Sequence, residues 1–155
     1  MSDVVFPEIG NHDGYVVELS LPPAFANDIS DSLVRSSGEM DMKLGEKNAY
    51  VKLDEGRTFD ILENLNLDPL KPELPALLLL DKKPEDIEKS DELVLVKLGA
   101  LKKANDVPLI LEELAQLVKN EEFMHNLSSN QKQKKLKETF KDISNVVVTL
   151  VSKPF

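Results

Sequence analysis

Apolar positions recur along this chain in two periods, and the switches between them predict alternating strands and helices. Tyr15, Val16, Val17, Leu19 and Leu21 are close-set and mostly β-forming, so Tyr15 to Leu21 reads as a strand. Pro22-Pro23 ends it, because neither proline can donate to a ladder. The spacing then lengthens: Phe25, Ile29 and Leu33 predict a helix over 24–36, with Asn27 or Asp28 able to cap its start and Ser36-Ser37-Gly38 stopping it. Ala49 to Leu53 predicts a second strand and Asp54-Glu55-Gly56 a turn. Thr58 to Leu67 predicts a short helix through Phe59, Leu62 and Leu65, followed by a proline-punctuated loop to Pro75.

Ala76 to Leu80 is a continuous apolar run, as in a strand buried on both faces. A charged connector, Asp81 to Asp91, leads to another strand at Leu93 to Leu98. Asp106 is a candidate cap for a long helix from Val107 to about Leu127, whose stripe of Ile110, Leu114, Leu117, Val118, Phe123 and Met124 is the clearest amphipathic pattern in the chain. Pro108 is tolerated in its first turn. A basic stretch, Lys132 to Lys141, can form a helix with Leu136, Phe140 and Ile143 on one face. Val146 to Val151, rich in β-branched residues, predicts a last strand, which either extends the sheet or pairs with another copy. The organisation is thus an extended lead-in over 1–14 with a short strand candidate at Val4 to Phe6, a main domain over 15–127, and a C-terminal helix plus strand over 128–155 packed on it.

Composition narrows the function classes. With 155 residues, 41% hydrophobic against 30% charged, the chain has the makings of one globular core, and with no Trp its volume must come from Leu, Val and Ile. The net charge of -9 disfavours nucleic acid and anionic membrane as partners, since both are held by Lys and Arg; its plainest reading is solubility. Zero cysteines exclude disulfides, thiolate nucleophiles, zinc–thiolate sites and iron–sulfur clusters built by this chain. The start, Met1 to Pro7, lacks a signal-peptide pattern, and the longest apolar run, Pro75 to Leu80, is far short of the roughly 20 residues that span a bilayer, so a cytoplasmic location is expected.

Two local features join the element order. Leu74-Pro75-Ala76-Leu77-Leu78-Leu79-Leu80 places a proline before a buried apolar strand, and Val96-Lys97-Leu98-Gly99-Ala100-Leu101 leads through a glycine toward a final helix. From Tyr15 to about Leu127 the chain resembles the thioredoxin-like superfamily, as a divergent member. The resemblance implies an α/β fold with a central mixed sheet of four or five strands, helices on both faces, and Tyr15–Leu21 and Ala76–Leu80 central. It also implies that Pro75 follows a cis bond and lines a substrate groove; otherwise Pro75 is an ordinary trans proline ending a loop.

The family's Cys-x-x-Cys, at the start of the first helix, falls on Ala24-Phe25-Ala26-Asn27, where neither cysteine is present. Thiol–disulfide exchange and peroxide reduction have no thiolate here. Other chemistry is sparse. His12 with Asp13 reads as a metal or acid–base site or as a turn; His125 reads as a catalytic group or as a helix-end residue. Glu85, Asp86, Glu88, Asp91 and Glu92 match no calcium-loop spacing, and no glycine loop for phosphate exists, so no catalytic residue, metal or cofactor is expected. Lys132 to Lys141 is either a binding feature or a solvated helix face.

The expectation is a redox-inactive protein-binding module, an adaptor, chaperone-like protein or complex subunit. A protein or peptide partner would lie in a groove formed by Pro75, Leu74 and the loop Pro22, Pro23, Ala24, Phe25 and Ala26. Phe25 is either an exposed anchor or a core residue. Two other readings stand beside this one: a small acidic inhibitor or immunity-type protein, and a non-thiol enzyme of the same superfold binding a small thiol such as glutathione, for which Ser20 and Tyr15 are the nearest hydroxyls.

Overall fold

The computed structural model describes residues 14–45, 47–64, 74–80, 92–119, 130–140 and 147–152. Among these residues five strands form one mixed sheet: β1 (Gly14–Leu19), β2 (Asn48–Leu53), β3 (Ala76–Leu80), β4 (Glu92–Lys97) and β5 (Val147–Ser152), in the order β2-β1-β3-β4-β5. β1 and β2 are parallel, with Val16 opposite Tyr50; every other pairing is antiparallel, including Leu19 opposite Ala76 and Ala76 opposite Lys97. A parallel pair needs a long crossover. Here it holds α1 (Asp28–Ser36), a 3-10 turn at Ser37–Glu39 and α2 (Met40–Leu44). The remaining helices are α3 (Glu55–Asn64), α4 (Asp106–Val118) and α5 (Asn130–Thr139).

The alternation of side chains along the strands divides the interior in two. Val16, Tyr50, Leu77, Leu79, Val94 and Val96 face one way, into a core closed by α1, α2, α4 and α5 through Ile29, Met40, Ile110, Leu114, Leu136 and Phe140. Tyr15, Val17, Leu19, Val51, Leu78 and Leu80 face the other way, toward Ile61 and Leu62 of α3. Helices therefore cover both faces, and β3, all of whose residues are buried, lies in the middle of the sheet.

Polar side chains close the helix ends. Asn27 caps α1 in a reciprocal pair: Ser30 N–H donates to Asn27 Oδ1 at 3.0 Å, and Asn27 N–H to Ser30 Oγ at 2.8 Å. Asn48 donates through Nδ2 to Leu44 O at 3.1 Å and Val118 O at 3.2 Å, satisfying the last carbonyls of α2 and α4 together. Gly45, at φ +84°, turns the chain out of α2 in a conformation that favours glycine. At the sheet edge, Tyr50 N–H donates to Asp41 Oδ1 at 3.0 Å.

Several expectations shift. β1 stops at Leu19 rather than Leu21, because Ser20 turns to α3: its N–H donates to Thr58 Oγ1 at 3.1 Å and its hydroxyl to Leu53 O at 2.9 Å. The first helix begins at Asp28, not Ala24, because the Asn27 cap fixes its start. Residues 54–56 are the mouth of α3 rather than a free turn: Asp54 Oδ1 accepts from Arg57 N–H at 2.9 Å, as a cap does. α4 begins with Asp106 instead of being capped by it, and ends at Val118 rather than near Leu127; Lys119 N–H closes its last turn on Ala115 O. α2 has no counterpart in the sequence reading, although Met40 and Leu44 stand four apart and are both buried. The last strand extends the sheet beside β4. The lead-in 1–13 with its strand candidate, the loop 65–73, the connector 81–91 and Phe123, Met124 and Ile143 lie outside the described residues.

Candidate functional site

The end of β1 and the start of β3 lie together, since Leu19 is opposite Ala76. Beyond Leu19 the chain passes through Ser20 and Leu21 into a 3-10 turn at Pro23–Phe25, closed by Phe25 N–H donating to Pro22 O at 2.8 Å. Just ahead of β3, the Leu74–Pro75 bond is cis, as the resemblance implied, and Pro75 O accepts from Gly99 N–H at 3.0 Å, tying the head of β3 to the exit of β4. Leu74 joins the core on the α3 side, with Leu21 packed against the same cluster.

The predicted site residues divide by exposure. Pro22, Leu74 and Pro75 are buried, whereas Ala24, Phe25 and Ala26 are exposed, Phe25 to 55%. The surface presented here is thus the exposed apolar segment Ala24 to Ala26, while Pro22, Leu74 and Pro75 are withdrawn from it. Of the two readings of Phe25, the structure gives the exposed one. Because α1 starts only at Asp28, Phe25 leaves the helical register that would have set it above Ile29. The turn is braced from both sides, by the Phe25–Pro22 hydrogen bond and by the Asn27–Ser30 cap.

The hydroxyls considered for a non-thiol reaction do not converge on this surface. Tyr15 is 1% exposed within the α3-side core, and the Ser20 hydroxyl is committed to Leu53 O. Among the described residues no group of three His, Cys, Asp or Glu side chains is placed to hold a metal ion, and no helix is long and apolar enough to cross a membrane. His12, His125, Glu85, Asp86, Glu88 and Asp91 lie outside the described residues, as does the side chain of Glu92.

Sequence reading passed over one buried polar pair. Glu18, in the middle of apolar β1, is 5% exposed, and Tyr50 donates its phenolic O–H to Glu18 Oε1 at 2.6 Å. Burial pushes the Tyr50 phenol far above its ordinary value, and the neighbouring Glu18 carboxylate, by charge and as hydrogen-bond acceptor, pushes it further the same way. The signal was present in the sequence as a lone carboxylate among strand residues. The pair is closed from solvent and braces the interior beneath α1 and α2.

The fold and site together define a mixed-sheet α/β domain, helices on both faces, with a braced apolar turn at the end of β1. No protein-family model, curated protein or solved structure matches this chain.

Proposed function

We propose that this chain is a redox-inactive, thioredoxin-like binding module that recognises a protein or peptide partner through the turn carrying Phe25. Agreement between the observed strand order and pairing senses and those of the superfamily supports the fold assignment: β1 lies between parallel β2 and antiparallel β3, and β4 is antiparallel to β3. The observation that carries the function is the 55% exposure of Phe25 in a turn fixed by its own hydrogen bonds. An exposed aromatic on a backbone already held in place leaves less freedom to be lost on docking, which suits an interface anchor. It stands just ahead of the first helix, whose start is where the superfamily carries its cysteines, in a chain that has none. Recognition there would survive without the chemistry. Pro75 and Leu74 are buried and are not the contact itself.

Selection of peptides from a random displayed library on the full chain, followed by titration of the enriched peptides, tests this. Phe25→Ala is expected to weaken binding at least tenfold, as loss of an anchor does, while Val34→Ala, which truncates another exposed apolar residue on α1, leaves it unchanged. Equal binding by wild type and Phe25→Ala, or no enrichment at all, would overturn the proposal.

A further inference from the structure

α5 differs in charge from every other described helix. From the sequence, α5 carries a formal charge of +3, against -1 for α1, zero for α2, -2 for α3 and -3 for α4. Residues 131–141 together hold +4 and the rest of the chain -13. The helix is anchored: Leu136 and Phe140 are buried in the core that also receives α1, α2 and α4. Lys134, Lys135 and Lys137 are exposed, and none has an ion-pair partner among the described residues. By contrast, Lys43 on α2 is paired with Glu112 of α4 at 3.1 Å.

We infer that the lysine face of α5 is a second interaction surface, distinct from the Phe25 turn, and that its partner is an acidic polypeptide segment. The overall negative charge does not cancel it. α5 lies against β5 at one edge of the sheet and α2 against β2 at the other, and four strand spacings separate those edges by roughly 19 Å. At physiological salt the screening length is about 8 Å, so a partner touching α5 feels mainly the local lysines. Charge complementarity names the partner's sign, and the surroundings choose its kind. An extended nucleic acid would run on over the same face of the sheet toward α4, whose charge is -3, and would want aromatic platforms, whereas Phe140 is buried. A membrane-binding helix inserts its apolar stripe, and here Leu136 and Phe140 are spent on the core. A short acidic segment, one helix long, meets none of these objections.

The test is fluorescence anisotropy with the full chain and a labelled 12-residue peptide of alternating Glu and Ser, beside a labelled 12-nucleotide oligothymidylate, at rising salt. The wild type should bind the peptide, less tightly as salt rises. Lys134→Gln/Lys135→Gln/Lys137→Gln should weaken binding roughly tenfold, the combined effect of three exposed ion pairs, with an unchanged far-ultraviolet dichroism spectrum and melting point. Lys52→Gln, at the opposite edge, should change nothing. The inference is overturned by equal binding of wild type and triple variant, by no peptide binding, or by tighter binding of the oligonucleotide. It is also overturned by self-association without peptide that the triple variant abolishes, since the occupant is then a second copy. Phe25→Ala leaves α5 intact, so its outcome bears on the first surface alone.

Discussion

Replacing Tyr50 with Phe removes one oxygen from the interior and keeps the ring. The lost group is the donor of a 2.6 Å hydrogen bond to Glu18, whose residue is only 5% exposed. Water cannot readily replace it, so the cost is more than a hydrogen bond exchanged with solvent. Bonds to charged groups contribute about 1.5–3 kcal/mol, and an acceptor left buried and unsatisfied costs a similar amount. We therefore expect Tyr50→Phe to lower stability by about 2–3 kcal/mol, which for a domain of this size lowers the melting point by roughly 5–10 °C. Urea unfolding followed by far-ultraviolet dichroism measures it; the chain has no Trp to serve as an intrinsic probe. A second variant isolates the cause. Glu18→Leu/Tyr50→Phe removes both partners, leaves no orphaned acceptor, and should be more stable than Tyr50→Phe alone. If Tyr50→Phe loses less than about 0.5 kcal/mol, or if the double variant is the weaker of the two, the reasoning about a buried, mutually satisfied pair is wrong.

Two further outcomes follow from the same geometry. The Tyr50 phenol lies above its ordinary value of 10.0 in the folded chain, so its contribution is complete below pH 10 and is lost as the pH rises beyond it, when only the unfolded chain gives up the proton. Wild-type stability relative to Tyr50→Phe should therefore fall by on the order of 1 kcal/mol per pH unit above pH 10, measured by urea unfolding across that range. Asn27→Ala removes the α1 cap and should cost about 1 kcal/mol by the same assay, with faster amide exchange at Ser30, whose N–H the Asn27 side chain accepts.

The sheet was legible in the sequence because its signal is redundant. Ala76–Leu80 is apolar at every position, as a strand covered on both faces must be, and β2 and β4 depart from their predicted limits by one residue. The helix boundaries were less legible because they depend on single side-chain bonds. Asn27 starts α1 four residues later than the apolar spacing suggests, and that shift turns Phe25 from a core candidate into a surface group. Asp54 likewise makes the opening of α3 from residues that read as a turn. Of the candidate site, the pairing of β1 with β3 brings the end of one to the head of the other, but the burial of Pro22, Leu74 and Pro75 is a tertiary property. Glu18 escaped notice because its partner Tyr50 lies 32 residues away, on a strand joined to β1 only by the fold.

Asp41 accepts the Tyr50 N–H on the outer side of β2, the last strand in the order among the described residues. An added strand would have to offer its carbonyl to that amide, and the position is already filled by a carboxylate from the chain itself. α2, the element missed in the sequence, thus occupies one outward bonding position of β2 and discourages lateral addition of a strand at that point.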